Sequence, residues 1–324
     1  MFKSNQTVVT EFLLLGFPGL KGFKPVFFLL MLTTYMITLT INLFIIILVS
    51  TTAKLNFPMY FFLKHLSLTK MAFLTTVVPK MLHIILKDEG RLSLYVCITQ
   101  LYCVCICSYL QCFLIAIMSY DRYLAICNPL RYTSLMNSHV CFQVIIGLCF
   151  FVTILVSSEM IVIYRYDYCG LNSIDHFYCD FYPLIELSSS DTSGLKLQDF
   201  IISIITICLP FAFIIMTYIF IIIPILKISS VHGRRKAFST CSSHVTLVGA
   251  FYGTFIIVYM TPPDEASSHL NKYRSLLYLA VSPLINPIIY SLRNHEIKAA
   301  LQKTLADFRN LCPKVKKLCV LPLL

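Results

Sequence analysis

The sequence predicts an all-α membrane protein: a seven-transmembrane helix bundle with a short amphipathic C-terminal helix. Three observations predict it. First, of 324 residues 58% are hydrophobic and only 13% charged, whereas soluble globular chains carry about 25% charged residues. So little charge cannot clothe a water-facing surface, which excludes an ordinary soluble enzyme, and the 14% aromatic content excludes a disordered chain. Second, seven apolar stretches reach the roughly 20 residues that a spanning helix needs. Third, the net charge of +11 falls between those stretches and in the tail. It forms no single stripe with interleaved aromatics, so it reads as a cytoplasmic membrane face and argues against nucleic acid as a partner.

In chain order, residues 1–25 read as an extracellular N-terminus. They hold no apolar core of a cleavable signal, so the first span is expected to direct insertion. Asn5, in Asn5-Gln6-Thr7, is a glycosylation sequon if this end reaches the lumen. The transmembrane domain covers 26–292, with spans at 26–50, 58–82, 93–126, 140–163, 198–226, 238–261 and 271–292. The second is the weakest because it holds Lys64, His65 and Lys70. The third is long for one crossing and should tilt or extend past the bilayer. Residues 293–324 form the cytoplasmic tail. There Ile297, Leu301, Leu305 and Phe308 recur at helical spacing among Lys and Arg, the pattern of a helix lying on membrane lipid. Cys312 and Cys319, beside Lys314, Lys316 and Lys317, are either palmitoylation sites or inert thiols.

Orientation follows from charge. With the N-terminus outside, the inner segments gather Lys54, Arg122, Arg131, Arg234, Arg235, Lys236 and the basic tail, with only Asp121, Glu296 and Asp307 as acids. The outer segments hold Asp88, Glu89, Asp175, Asp180, Asp264 and Glu265. The positive-inside rule then favours N-out, C-in. The same orientation puts Asn5, Cys97, Cys169 and Cys179 on the oxidising side.

Five motifs stand in order along these spans: LLLGFPG (13–19), PMYFFLKHLSL (58–68), MSYDRYLAIC (118–127) followed by Asn128-Pro129-Leu130-Arg131-Tyr132, KAFSTCSSH (236–244) and PLINPIIYSLRN (283–294). Together they resemble the olfactory (odorant) receptor family of rhodopsin-like G-protein-coupled receptors, from about Phe12 to about Leu301. The resemblance implies a multi-pass plasma-membrane receptor, not an enzyme and without a cofactor. Its partners would be a small odorant and a heterotrimeric G protein of the stimulatory, cAMP-raising type. It implies that Asp121 and Arg122, beside Tyr123, pair at rest. Arg122 would then leave that pairing to meet the G protein, helped by Tyr218 and Tyr290. Asn286-Pro287 would supply a kink and a rearranging amide, with Asn42 as the matching amide of the first span. It also implies a Cys97–Cys179 disulfide pinning the second outer loop over the bundle.

For the ligand, matching to the family implies Val104, Cys105, Ser108 and Tyr109 of the third span, Phe181 of the loop, Tyr252 and Tyr259 of the sixth span, and Leu276 and Leu279 of the seventh. This lining is aliphatic and aromatic with few hydroxyls. The outer half of the third span lacks the acid that would balance a buried ammonium. A small, mostly neutral, apolar volatile ligand is therefore expected.

Three positions depart from the family. Lys70 stands where an acid is usual, so sodium-dependent stabilisation of the resting state is expected to be absent. Ser189 replaces a cysteine and leaves Cys169 without its usual partner. Glu159 stands where many relatives carry His and faces either ligand or Arg165. No metal site is expected. The sulfur of Cys179 in His176-Phe177-Tyr178-Cys179-Asp180 would be oxidised, and Cys105 points away from Cys103 and Cys107 on a helix. The alternatives are the same receptor type serving as a non-olfactory chemoreceptor, or a channel or transporter. The second is disfavoured by the lack of repeats and charge rings.

Overall fold

A computed structural model describes residues 9–169, 172–227, 229–230, 234, 241–242, 244–254, 272–279, 297, 299 and 302. Five helices are long and apolar enough to cross a membrane: α1 (Lys24–Thr51), α2 (Pro58–Lys87), α3 (Leu94–Cys127), α5 (Ser138–Tyr164), and the run Ser193–Lys227. The last comprises α7 (Ser193–Ser203), a π-helical segment (Ile204–Cys208) and α8 (Leu209–Lys227). Short helices α4 (Pro129–Leu135) and α6 (Phe181–Ile185) lie between them. Residues 241–242, 244–254 and 272–279 are helical and fall within the sixth and seventh expected spans. Ile297, Ala299 and Gln302 are helical as well. Asn5, Tyr259, Asn286, Pro287, Tyr290, Cys312 and Cys319 lie outside the described residues.

Helix boundaries follow local chemistry. Proline opens α2 and α4, where its missing N–H costs nothing. Ser93 caps α3 by accepting from the Val96 amide, and Asn137 caps α5 by accepting from that of Val140 at 2.9 Å. The π segment stands immediately before Pro210, which cannot donate a backbone hydrogen bond; the wider turn absorbs that gap. Hydroxyls within the spans turn back on their own helix, as Thr38 does to the Thr34 carbonyl and Thr206 to that of Ile202.

The outer surface of the long helices is as apolar as their interior. On α1, Val26, Leu29, Leu30, Met36 and Ile47 are exposed; on α5, Phe142, Ile146, Phe150 and Ile154; on α8, Leu209, Ile219, Phe220 and Leu226. An apolar exterior of this extent suits hydrocarbon, where helices satisfy their own backbone groups. α3 is the central helix, with 61% of its most apolar window buried against 17% for α5. The second expected span forms a continuous helix despite its lysines, because Lys64 reaches the polar Ser50 hydroxyl and only Lys70 is fully enclosed.

One feature departs from an all-α expectation. β1 (Glu11–Leu14) pairs antiparallel with β2 (Gly90–Ser93), Glu11 opposite Ser93, and parallel with β3 (Ser173–Ile174), Leu13 opposite Ser173. The N-terminal segment thus joins two outer loops into a three-stranded sheet. Phe12 and Leu14 point inward and are fully buried, so the alternation of a strand decides this segment. Gly16 follows with φ +57, and a Cβ there would collide with the Ile84 side chain.

Candidate functional site

The loop and N-terminal segment cap one end of the helices and are fastened in three ways. Cys97 at the start of α3 and Cys179 in the loop form a disulfide, Cα–Cα 5.4 Å. The Cys179 amide also donates to the Gln100 side-chain oxygen at 2.9 Å. Finally, Lys272 is 4% exposed and donates at 2.5 Å to both the Gly16 carbonyl and Asp175, with Phe17 under its ammonium at 5.7 Å. Lys272 therefore ties the 272–279 helix to the N-terminal segment and the loop at once. Beside it His176 is buried, and burial and the positive Lys272 pull its imidazole down to about 3, so it stays neutral. Cys169 is a free, half-buried thiol.

Below the cap, the residues implied for the ligand fall into two apolar groups. Val104, Tyr252 and Leu279 are buried in one, with Leu276 packed against it. Tyr109 and Phe181 are buried in the other, with Cys105 packed against it. Ser108 is buried on α3. Tyr252 stacks on Phe211 at 4.7 Å and donates to the Cys112 carbonyl at 3.3 Å, so its hydroxyl is engaged with α3. Two half-buried acids lie beside the second group. Asp180 is pushed up to about 6, chiefly by burial and then by Asp199. Tyr182 donates to Asp199 at 3.2 Å. Glu159 is 1% exposed and not paired with Arg165, which is exposed at the end of α5.

At the opposite end, Asp121 is fully buried. It receives Arg122 at 3.0 Å on one oxygen and the Tyr132 hydroxyl at 2.8 Å on the other. Arg122 keeps its Nε without a hydrogen-bond partner among the described residues. Around it, Tyr218 meets His244 at 2.7 Å, Ser119 bonds Thr217, and Tyr123 packs with Ile221, Ile225 and Cys241. Lys70, 3% exposed, has no hydrogen-bond partner for its Nζ among the described residues, while Asn42 donates to the Thr38 carbonyl at 2.8 Å. Among the described residues no group of three His, Cys, Asp or Glu is arranged to hold a metal ion.

A sequence profile described as olfactory receptor matches residues 31–308. The chain belongs to the olfactory receptor family. Olfactory receptor 6Y1 of Homo sapiens is 42% identical over 302 residues, 93% of either chain. Olfactory receptor 5P68 of Mus musculus is 41% identical over 305 residues, 94% of this chain and 97% of its own. Olfactory receptor 5G9 of Mus musculus is 42% identical over 309 residues, 94% and 98%. This is a family of membrane receptors and not of enzymes.

Sequence reasoning missed several functional partners of this olfactory receptor. Tyr132 was in view within the motif after α3. Pro129 opens a new helix there, whose first turns bring Tyr132 back toward Asp121. His244 was likewise in view at the end of KAFSTCSSH without a role. Lys272 and Asp175 are 97 residues apart and carry no local signal of their pairing.

Proposed function

We propose that this receptor crosses the membrane seven times, with 1–25 outside, 26–292 in the bundle and 293–324 in the cytoplasm. It binds small volatile odorants with a mostly apolar body in the outer half of the bundle and activates a stimulatory, cAMP-raising heterotrimeric G protein from the plasma membrane. The observation that carries this reading is the surrounding of Arg122. Its acid neighbour Asp121 is sealed by two donors, while its own Nε is left over beside α8 and the helix at 244–254. A half-buried guanidinium held by a single ion pair is suited to swing toward another acceptor when those helices part. Tyr218 and His244, bonded to each other across α8 and the sixth span, stand where such a parting would be felt. The Lys70 ammonium, without a hydrogen-bond partner among the described residues, supports a receptor whose resting state is indifferent to sodium. A sodium-specific shift of the agonist response that survives in Lys70→Asp would overturn that point.

The test is a cAMP reporter screen of surface-labelled receptor against a chemically diverse odorant panel. The wild type is expected to answer some odorants, and Arg122→Ala to reach the surface and answer none. A surface-exposed wild type that stays silent across the panel, or an Arg122→Ala variant that signals normally, overturns the reading. Tags placed before Asn5 and after Leu324 should be reachable on intact and on permeabilised cells, respectively.

A further inference from the structure

Glu159 occupies the buried stripe of α5. Val152, Val156, Met160 and Ile163 on that stripe pack into the apolar group that holds Tyr109, Phe181, Leu184 and Ile202. Its Oε1 has no hydrogen-bond partner among the described residues. The next residue of the facing helix completes the picture. Gln198 donates to Ser158 at 2.9 Å, which clamps α7 on α5 at the positions next to Asp199 and Glu159. Asp199 lies within electrostatic reach of both Glu159 and the loop residue Asp180, and Cys105 on α3 senses all three. Among the described residues no Lys or Arg forms an ion pair with any of them. Three carboxyl groups thus lie near one apolar site with no Lys or Arg paired to them among the described residues, an arrangement that a cation would complete. Tyr109, Phe181 and Tyr182 belong to the same apolar group, and aromatic rings attract cations.

We propose that Glu159 and Asp199 receive the ammonium group of an amine odorant, with Asp180 as the third acid at the mouth. The inference rests on the odorant-receptor reading and names its ligand class. The third span lacks an acid, and the fourth and fifth supply it instead. The apolar body of the amine lies against Val156, Met160 and Phe181.

The test compares hexylamine, cyclohexylamine and benzylamine with hexanol, cyclohexanol and benzyl alcohol in the cAMP reporter, alongside the diverse odorant panel. Wild type is expected to answer at least one amine more strongly than its matching alcohol. Glu159→Gln should raise the amine EC50 by about tenfold or more and Asp199→Asn by less, while Glu159→Asp restores part of the response. Surface labelling accompanies every variant, and Asp199→Asn carries the comparison if Glu159→Gln fails to reach the surface. Amines that stay silent while neutral odorants activate the wild type overturn the amine inference and leave the receptor reading intact. An amine EC50 unmoved by the charge-removing variants overturns it equally. A surface receptor silent to every compound defeats the receptor reading, and this inference with it.

Discussion

Asp121 and Glu159 stand at opposite ends of the helices and are both buried acids, 0% and 1% exposed. Their surroundings differ. Asp121 is met on both oxygens by donors from its own chain, Arg122 and Tyr132. Glu159 has an apolar stripe on its own helix, a second acid opposite, and an oxygen with no partner among the described residues. An isolated charge in a low-dielectric interior costs several kcal/mol, so a satisfied acid marks a restraint and an unsatisfied one marks a missing partner. Asp121 is therefore satisfied from within the chain, whereas Glu159 keeps an oxygen without a partner among the described residues.

The largest expected effect comes from exchanging the two acids for amides. Asp121→Asn removes the counter-charge from Arg122 and should destabilise the resting receptor by about 3 kcal/mol, with basal cAMP rising several-fold. Glu159→Gln replaces a buried acid that has no ion-pair partner among the described residues, and should instead raise the melting temperature of purified, ligand-free receptor by a few degrees. Equal losses of stability in both variants would erase the contrast between the two ends.

Next in size is the acid response of the cap. His176, near 3 when folded and 6.5 when free, binds its proton in the unfolded chain first, so its contribution is complete above about pH 6.5 and is lost as pH falls toward 3. The slope is at most about 1.4 kcal/mol per pH unit. Asp180 has the opposite sign. Raised from 3.8 to about 6, it binds its proton in the folded state first, and the stability it withholds at neutral pH returns between about 6 and 4. Lys272 and Asp175 flank the histidine, and Asp199 and Tyr178 the carboxyl group. Hydrogen-exchange protection of residues 173–180 should therefore stay nearly level from about pH 6 to 4 and fall below it. In Asp180→Asn the fall should begin near pH 6, and in His176→Phe it should vanish.

A smaller effect is expected from Lys272→Met, which cuts the tie between the 272–279 helix, Gly16 and Asp175. A charged hydrogen-bond network of this kind contributes about 2 kcal/mol, read as faster exchange at Phe12–Leu15 with the disulfide intact. The smallest belongs to the Lys24–Asp88 ion pair, which is exposed by 27% and 57%. Its removal should change the melting temperature by less than a degree, because solvent screens exposed pairs.

Much of the architecture could be read locally. Apolar runs marked α1, α2, α3, α5 and the α7–α8 run to within about five residues of their ends, since hydropathy over about 20 residues is a property of the segment alone. The five motifs pointed to the family for a similar reason: each is a contiguous string. What was not legible is pairing at long separation. The acid at Asp121 was in view but not its second donor, Tyr132. The outer basic residue Lys272 was in view but not Asp175. Glu159 was left between ligand and Arg165, and Asp199 attracted no notice.

The sequence by itself determined that this chain lives in lipid as a helical receptor of the olfactory family, because composition and contiguous motifs act without reference to the rest of the fold. Only the tertiary structure decided which charges meet. It wove the N-terminal strand into two loops, gave Asp121 two donors, and clamped the helices that carry Glu159 and Asp199, with neither a lysine nor an arginine paired to these acids among the described residues. The physical reason is range: burial propensity accumulates along the chain, whereas electrostatic satisfaction depends on atoms that helix packing brings together from distant positions.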